Sequence, residues 1–155
     1  MNKTQGGSIA NKTGNELEVF INNRLVREGY VFVPKTRFIA SQTLAQPIYT
    51  RQFNLGKTIY NTVWQCDFIL YHPAKHSNCL VIESKWQQSS GSADEKYPYT
   101  ILNIKKQSVY DAIIIIDGDG YKKGALQWLK DQVHGNLKGV FSMSEFTTWT
   151  NKQNI

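Results

Sequence analysis

Apolar residues recur at helical spacing in some segments of the chain and form short continuous runs in others. Leu17, Ile21 and Leu25 lie four positions apart, which predicts an amphipathic helix. Thr13 can cap the start of this helix, and Gly29 can end it because glycine readily adopts a left-handed conformation. We therefore expect one helix between these two residues.

The segments that follow are predicted to be strands. Residues 30–39 are rich in valine and aromatic residues but contain Pro34, which fits an interrupted edge strand. Residues 41–62 are polar with scattered aromatic residues, and an irregular hairpin is predicted there. Two apolar runs at 64–71 and 79–86 flank a polar turn, which predicts an antiparallel hairpin.

Helical and strand-like segments then alternate toward the C terminus. Residues 94–106 have apolar residues at helical spacing, with Pro98 acceptable in the first turn. Residues 111–116 contain a β-branched run typical of a strand buried on both faces of a sheet. The remaining predicted elements are a helix over 124–133, a strand over 140–143, and a last helix opened by Ser144 and Glu145. This order indicates an α/β fold, an α+β mixed sheet with helices on both faces.

The chain has 155 residues, of which 41% are apolar and 19% charged, and this suits one globular domain. We expect a flexible polar tail over residues 1–12 and a single domain over residues 13–155. No apolar run approaches the roughly 20 residues of a transmembrane helix, which argues against a membrane protein. Cys66 and Cys79 are too few for a disulfide-stapled secreted scaffold, so the cytoplasm is the expected compartment.

Basic residues outnumber acidic ones by 18 to 12 and give a formal net charge of +6. A basic surface with many aromatic side chains is typical of proteins that bind nucleic acid, because each neutralised phosphate releases condensed counterions. A basic protein whose charge only keeps it soluble is the alternative. Charge therefore favours a nucleic-acid partner without deciding it.

The predicted hairpin carries two acidic residues at matching positions. Asp67 and Glu83 both lie eight residues from Lys75, so a turn centred on Lys75 places them opposite each other. Opposite residues share a face, with Cβ atoms about 4.5–5.5 Å apart, and Lys85 lies one step along that face. Bare like charges at this distance repel, so the pair needs a compensating cation.

A hard divalent cation suits such a pair, because Mg²⁺ often binds one or two carboxylates together with waters and substrate phosphate. The backbone carbonyl of Ser84 could add a ligand. With a metal that polarises a phosphate and activates a water, and with the Lys85 ammonium beside it, the implied reaction is phosphodiester hydrolysis. The alternative is two solvated carboxylates with Lys85 as an ordinary ion-pair partner. Apolar neighbours on both faces of the strands argue against it, because embedded acids are costly.

Asp67 followed by the run Glu83-Ser84-Lys85 resembles the PD-(D/E)XK nuclease superfamily, with Cys66 where the motif often has proline. The resemblance spans about residues 13–116. It implies a restriction-endonuclease-like fold with an αβββαβ core, to which this chain would add a C-terminal helix, strand and helix. It also implies that Asp67 and Glu83 bind metal and that Lys85 is the catalytic lysine.

The same resemblance implies further site residues. Gln87 would help to position water or phosphate. Family members often add a glutamate from the first helix, and of Glu16 and Glu18 the second lies closer to the apolar face and is preferred. Either could instead be an acid that the helix dipole favours in the first turn. The implied cofactor is Mg²⁺, and Mn²⁺ is expected to substitute for it.

Contacts with nucleic acid are expected from basic and polar residues on either side of the hairpin. The candidates are Lys35, Arg37, Arg51, Lys57, Ser92 and Lys96. A different use of the hairpin would be a zinc site, but Cys66, His72, His76 and Cys79 lack the spacing of a zinc motif. Strand alternation should also turn Cys66 away from the face of Asp67.

The sequence thus predicts a Mg²⁺-dependent endonuclease that cuts duplex DNA by metal-activated water, of the restriction, homing or phage type. A homodimer is expected, because one such site cuts one strand and the chain is short. Three alternatives stay open. They are a structure-selective resolvase of the Holliday-junction type, a catalytically inactive nucleic-acid-binding module on the same fold, and a basic structural protein.

Overall fold

A computed structural model describes residues 5–88 and 94–155, with side chains from residue 14 onward. In these ranges the chain forms a six-stranded mixed sheet between two layers of helices. The helices are α1 (Gln5–Arg27), α2 (Phe38–Ser41), α3 (Tyr97–Gln107), α4 (Lys123–Asp131) and α5 (Met143–Asn151), with 3₁₀ turns at Gln42–Leu44 and Asp94–Lys96. The strands are β1 (Val31–Phe32), β2 (Ile48–Lys57), β3 (Val63–His72), β4 (His76–Trp86), β5 (Asp111–Asp117) and β6 (Leu137–Phe141).

The strands follow sequence order across the sheet, from β1 at one edge to β6 at the other. β2, β3 and β4 form two antiparallel pairs, whereas β1–β2, β4–β5 and β5–β6 are parallel. Parallel neighbours need a crossover connection, which α3 supplies between β4 and β5 and α4 supplies between β5 and β6. The predicted mixed sheet with helices on both faces is confirmed.

Each face of the sheet buries its own hydrophobic cluster. The apolar stripe of α1 packs with Phe146 of α5 on one face. Ile101 and Ile104 of α3 and Leu129 of α4 cover the other face. Cover on both sides explains why β5 is a nearly unbroken apolar run. None of the helices in residues 5–88 and 94–155 has the length and apolar character needed to cross a membrane.

The first helix begins at Gln5, within the segment expected to be a flexible tail and before the predicted cap at Thr13. The helix ends close to Gly29, as the sequence predicts. Gly29 has a φ of +90°, and the N–H of Tyr30 donates to the carbonyl of Leu25 at 3.0 Å. This Schellman arrangement satisfies a carbonyl that the helix end would otherwise leave unpaired.

The prediction of a hairpin over residues 41–62 is wrong. β2 is a single ten-residue strand that pairs antiparallel with β3. From Arg51 onward its side chains alternate between more and less exposed positions, and this is why the segment has the polar composition of a loop. The residues before it form α2 and a 3₁₀ turn instead of a first strand.

Two boundaries near the C terminus also differ from the predictions. β6 begins at Leu137 and not at residue 140. The last helix is capped by Ser142, whose Oγ accepts the N–H of Glu145 at 3.1 Å while the Glu145 carboxylate accepts the N–H of Ser142 at 2.8 Å. This is a capping box, and it places the helix start before the predicted opening at Ser144.

The β3–β4 hairpin has the predicted register on the side of the acidic residues. Phe68 pairs with Ile82 and Leu70 with Leu80, which are the partners expected for a turn centred on Lys75. The pairing shifts between Leu70 and the turn, so the irregularity lies on the far side from the acids. The strands therefore bring Asp67 and Glu83 to the same end of the hairpin.

The alternation of side chains reverses at Asp67. Cys66 packs in the cluster under α3, and Phe68 packs in the cluster under α1, although strict alternation would put both on one face. In the neighbouring strand Gln52 has a φ of +52°, and the pairing of β2 with β3 skips it. The prediction that Cys66 turns away is wrong, because Cys66 packs in the same cluster as Val81, and alternation along β4 puts Glu83 on the face of Val81.

Candidate active site

Three residues with complementary charges line one cleft at the end of the β3–β4 hairpin. Asp67, Glu83 and Lys85 face a space of about 260 Å³ between these strands, the β2–β3 turn and α3. The other lining residues are Thr58, Thr62, Val63, Trp64, Gln65, Tyr99, Thr100 and Asn103. The structure thus brings together the two acids and the lysine that the sequence singled out.

Ser84 holds the carboxylate of Asp67. The backbone N–H and the hydroxyl of Ser84 donate to Asp67 Oδ2 at 2.7 and 2.9 Å. Among the residues that the structure describes, no donor contacts the other oxygen, Oδ1, which leaves it available to a cation. The predicted use of the Ser84 carbonyl as a metal ligand stays a prediction.

Glu83 is held from two sides in a nearly dry environment, with only 5% of its surface exposed. Trp64 Nε1 donates to Glu83 Oε1 at 3.1 Å, and Lys85 Nζ donates to Oε2 at 3.3 Å. Burial raises the pKa of Glu83; the charge of Asp67 adds to this rise, and Lys85 and Trp64 oppose it. Negative charge is therefore costly here, and a bound cation would offset that cost.

Lys85 supplies the positive charge of the cleft, with about a third of its side chain exposed. Burial acts to lower the pKa of Lys85, but the carboxylates of Glu83 and Asp67 outweigh it, so the pKa lies above its ordinary value. The amine is therefore protonated at neutral pH. In this state it can stabilise negative charge on a phosphate.

The donor set suits Mg²⁺ in an open site. In the described part of the chain, no three or more His, Cys, Asp or Glu residues converge on a common metal position. A closed all-protein cage is thus not formed there, and the cysteines and histidines of the hairpin make no zinc cluster. Mg²⁺ needs only one or two carboxylates, because waters and substrate phosphate complete its octahedron. The residues present fit that requirement.

Comparison with known families identifies the superfamily of this chain. The sequence model of the PD-(D/E)XK nuclease superfamily domain matches residues 9–154, which is most of the chain. The chain belongs to this superfamily. Its six-stranded mixed sheet and flanking helices confirm the predicted restriction-endonuclease-like fold. Among curated proteins and solved structures, no significant match is found.

Membership of the PD-(D/E)XK superfamily indicates that the protein is a nuclease and that its substrate is nucleic acid. The acidic residue in β3 and the E-x-K run in β4 lie where the two strands line the cleft. The sequence motif and the spatial cluster therefore coincide in this nuclease.

Gln87 lies at the end of β4 with both ends of its amide in contact with protein. The Tyr97 hydroxyl donates to Gln87 Oε1 at 2.6 Å, and Nε2 donates to the carbonyl of Gly120 at 3.1 Å. The backbone at Gly118 passes so close that a Cβ there would lie 2.1 Å from the Gln87 carbonyl oxygen. The residue joins α3 to the loop after β5, and its predicted role in positioning water or phosphate stays a prediction.

The structure places Glu18 against Arg51 and not in the cleft of the other two acids. Arg51 Nη2 pairs with Glu18 Oε2, and the guanidinium lies over the ring of Phe68, 5.1 Å from its centroid. Glu18 still helps to raise the pKa of Lys85 through its charge, whereas Glu16 is exposed. Arg51 thus has an internal partner, and the predicted catalytic role of Glu18 is not decided by this arrangement.

Four of the other predicted nucleic-acid contacts are exposed in the described part of the chain. Lys35 and Arg37 are exposed in the segment between β1 and α2, and Lys35 Nζ lies 3.5 Å from the carbonyl oxygen of Gln52. Lys57 is exposed at the end of β2, and Lys96 is exposed beside the first turn of α3. Ser92 lies outside the described residues. The predicted binding roles of these residues stay predictions.

The contribution of Trp64 is what the sequence analysis missed. Its indole N–H reaches Glu83 only because the alternation of β3 reverses at Asp67, and no sequence pattern announces that reversal. From the sequence alone, Trp64, three residues before Asp67, is typical of an ordinary core residue. The structure instead gives it a polar function, since the indole fixes the orientation of the Glu83 carboxylate.

Replacing Trp64 with phenylalanine removes the N–H donor and keeps most of the buried ring. We expect the Mg²⁺ concentration for half-maximal cleavage to rise about ten-fold, because partners that orient a metal-binding carboxylate typically contribute 10- to 100-fold. Titration of the cleavage rate with Mg²⁺ measures this. Trp128→Phe in α4 is the matched control, since that indole is 39% exposed and does not line the cleft. Equal Mg²⁺ titrations for both variants would show that the Trp64 donor is unimportant.

Proposed function

We propose that this nuclease is a Mg²⁺-dependent endonuclease that hydrolyses phosphodiester bonds in duplex DNA, of the restriction, homing or phage type. The observation that carries the proposal is the cleft in which two anchored carboxylates and a protonated lysine meet. A phosphate ester needs charge neutralisation and a positioned water for hydrolysis, and this combination suits both requirements.

Each residue of the cleft has a distinct role in the proposal. Asp67 and Glu83 would hold the cation, with Ser84 and Trp64 keeping their carboxylates in place. A bound Mg²⁺ would polarise the scissile phosphate and lower the pKa of a water. The Lys85 ammonium stabilises the charge that develops on the phosphate oxygens. Mn²⁺, which also accepts oxygen ligands in octahedral geometry, is expected to replace Mg²⁺.

Charge supports DNA as the substrate. The chain carries a net charge of +6. Lys57 is exposed at the end of β2, next to the turn that lines the cleft, Lys96 lines a neighbouring hollow, and Lys35 and Arg37 are exposed between β1 and α2. Cations that neutralise backbone phosphates give binding that weakens steeply as salt rises. We propose a homodimer, since one cleft cuts one strand, and a cytoplasmic location, which two free cysteines support.

Metal removal tests the proposal. The purified protein is incubated with supercoiled plasmid in Mg²⁺, in Mn²⁺, and in Mg²⁺ with excess chelator. We expect nicked and linear products in both metals and none with chelator, with activity restored when Mg²⁺ is added back. Equal cleavage with chelator would overturn the metal requirement. An absence of cleavage in every condition, with DNA still bound, would favour the inactive binding module.

A further inference from the structure

Two tyrosines form an exposed aromatic stack beside the cleft. Tyr60, in the turn between β2 and β3, lies on Tyr99 of α3 with ring centroids 5.1 Å apart and an interplanar angle of 20°. Tyr60 is 72% exposed, so Tyr99 covers one of its faces and solvent reaches the other. A large aromatic ring with this exposure contributes little to the core and is available to a ligand.

The turn that carries Tyr60 is tied down on both sides. The N–H of Thr58 donates to the carbonyl of Thr62 at 2.8 Å, and the two hydroxyls lie 2.7 Å apart. The N–H of Ile59 donates to Oδ1 of the buried Asn103 on α3 at 2.9 Å. The ring is therefore presented on a fixed base, which reduces the entropy lost when something stacks on it.

The stack adjoins the proposed catalytic cleft. Tyr99 lines that cleft together with Glu83, and it also lines a neighbouring hollow of about 410 Å³ with Lys85 and Lys96. A third hollow is lined by Tyr60, Glu95, Lys96 and Tyr99. A concave surface therefore extends from Asp67 and Glu83 to the exposed ring of Tyr60. Lys96 lies along this surface and can bind a phosphate.

We infer that the open face of Tyr60 stacks an unpaired nucleobase of the strand that is cut, and this rests on the proposed function. Inside a duplex both faces of every base are covered by neighbouring bases, so only an unpaired or terminal base offers a free face. Stacking on an aromatic ring accepts any base, because every base has a π-face. Within the proposed duplex substrates, the preferred class is therefore duplex DNA that carries unpaired nucleotides near the scissile phosphate, such as a flap, a bulge or a branch.

Cleavage rates on matched substrates test the inference. The substrates are a labelled duplex and the same duplex carrying a single-stranded flap, and the variants are Tyr60→Ala, Tyr60→Phe and Val109→Ala. Val109 is 78% exposed and precedes β5, whose other end lies beside Lys85, so it controls for loss of an exposed apolar side chain. We expect the flap-to-duplex ratio of kcat/KM to fall roughly ten-fold in Tyr60→Ala. Tyr60→Phe and Val109→Ala should keep the ratio of the parent protein.

The outcomes separate this inference from the proposed function. If the parent cuts DNA and Tyr60→Ala leaves the ratio unchanged, the stacking inference fails and the nuclease proposal stands. If the parent cuts nothing, binding can be measured in Mg²⁺ at equilibrium. A roughly ten-fold loss of affinity in Tyr60→Ala for a single-stranded oligonucleotide, with duplex affinity unchanged, would then support the stacking site. Equal affinities of the two proteins would overturn it.

Discussion

Replacing Glu83 with glutamine is expected to lower the cleavage rate at least about a thousand-fold. A catalytic metal contributes several kcal/mol of transition-state stabilisation, and about 4 kcal/mol corresponds to a thousand-fold in rate. Glutamine keeps an oxygen that can accept the Trp64 N–H, so the variant is expected to fold. DNA binding should persist or tighten, because a negative charge is removed from the cleft. Cleavage assays and binding titrations on one DNA measure both effects.

Glu145→Gln is a matched control for this substitution. Glu145 also accepts a lysine ammonium, with Lys130 Nζ 2.9 Å from its Oε1, but it lies on α5 at the protein surface. We expect Glu145→Gln to cut DNA at the rate of the parent protein. Glu83 would not be a metal-binding residue of the site if Glu83→Gln cut DNA at the rate of the parent protein. The same would follow if Glu83→Gln and Glu145→Gln lost activity together.

Lys85→Met is expected to lower kcat by about 10²–10³-fold, the usual effect of removing one group that stabilises transition-state charge. Methionine fills a similar volume without the ammonium. The apparent affinity for Mg²⁺ should stay constant or increase, because a positive charge near Glu83 and Asp67 is lost. A titration of the cleavage rate with Mg²⁺ separates kcat from the metal affinity.

Lys138→Met controls for the loss of an ion-paired lysine elsewhere. Lys138 Nζ lies 3.6 Å from Asp111 Oδ1, at the opposite end of the parallel strands from Lys85. Unchanged kinetics are expected for this control. An unchanged kcat in Lys85→Met together with weaker Mg²⁺ binding would mean that Lys85 only orients the Glu83 carboxylate.

The register of the hairpin could be predicted because local rules control it. A tight polar turn between two apolar runs sets the pairing of the strands, and the positions of Asp67 and Glu83 follow from counting along the chain. The irregularity lies near the turn, between Leu70 and His72, and leaves the pairing next to the acids as predicted. Local pattern was less informative for β2, since from Arg51 onward this strand alternates between partly buried and exposed positions and has the composition of a loop.

Contacts between distant residues could not be predicted in the same way. The ion pair of Glu18 with Arg51 joins α1 to β2, and the hydrogen bond from Tyr97 to Gln87 joins α3 to the residue after β4. Both depend on how helices pack on the sheet. No spacing in the sequence relates these positions. Arg51, which the sequence analysis chose as a nucleic-acid contact for its positive charge, therefore proved to pair with Glu18 of the same chain.

The sequence by itself determined the order of the elements from the β3–β4 hairpin onward, the centre of that hairpin and the identity of the acids and lysine. These properties follow from periodicity and turn chemistry, which act over a few residues. Only the tertiary structure decided that the β2–β3 turn and α3 close the cleft, that Trp64 holds Glu83, and that the aromatic stack adjoins the site. These three features depend on the reversal of side-chain alternation at Asp67 and on the packing of helices against the sheet. Both are set by contacts between side chains that lie far apart in the chain.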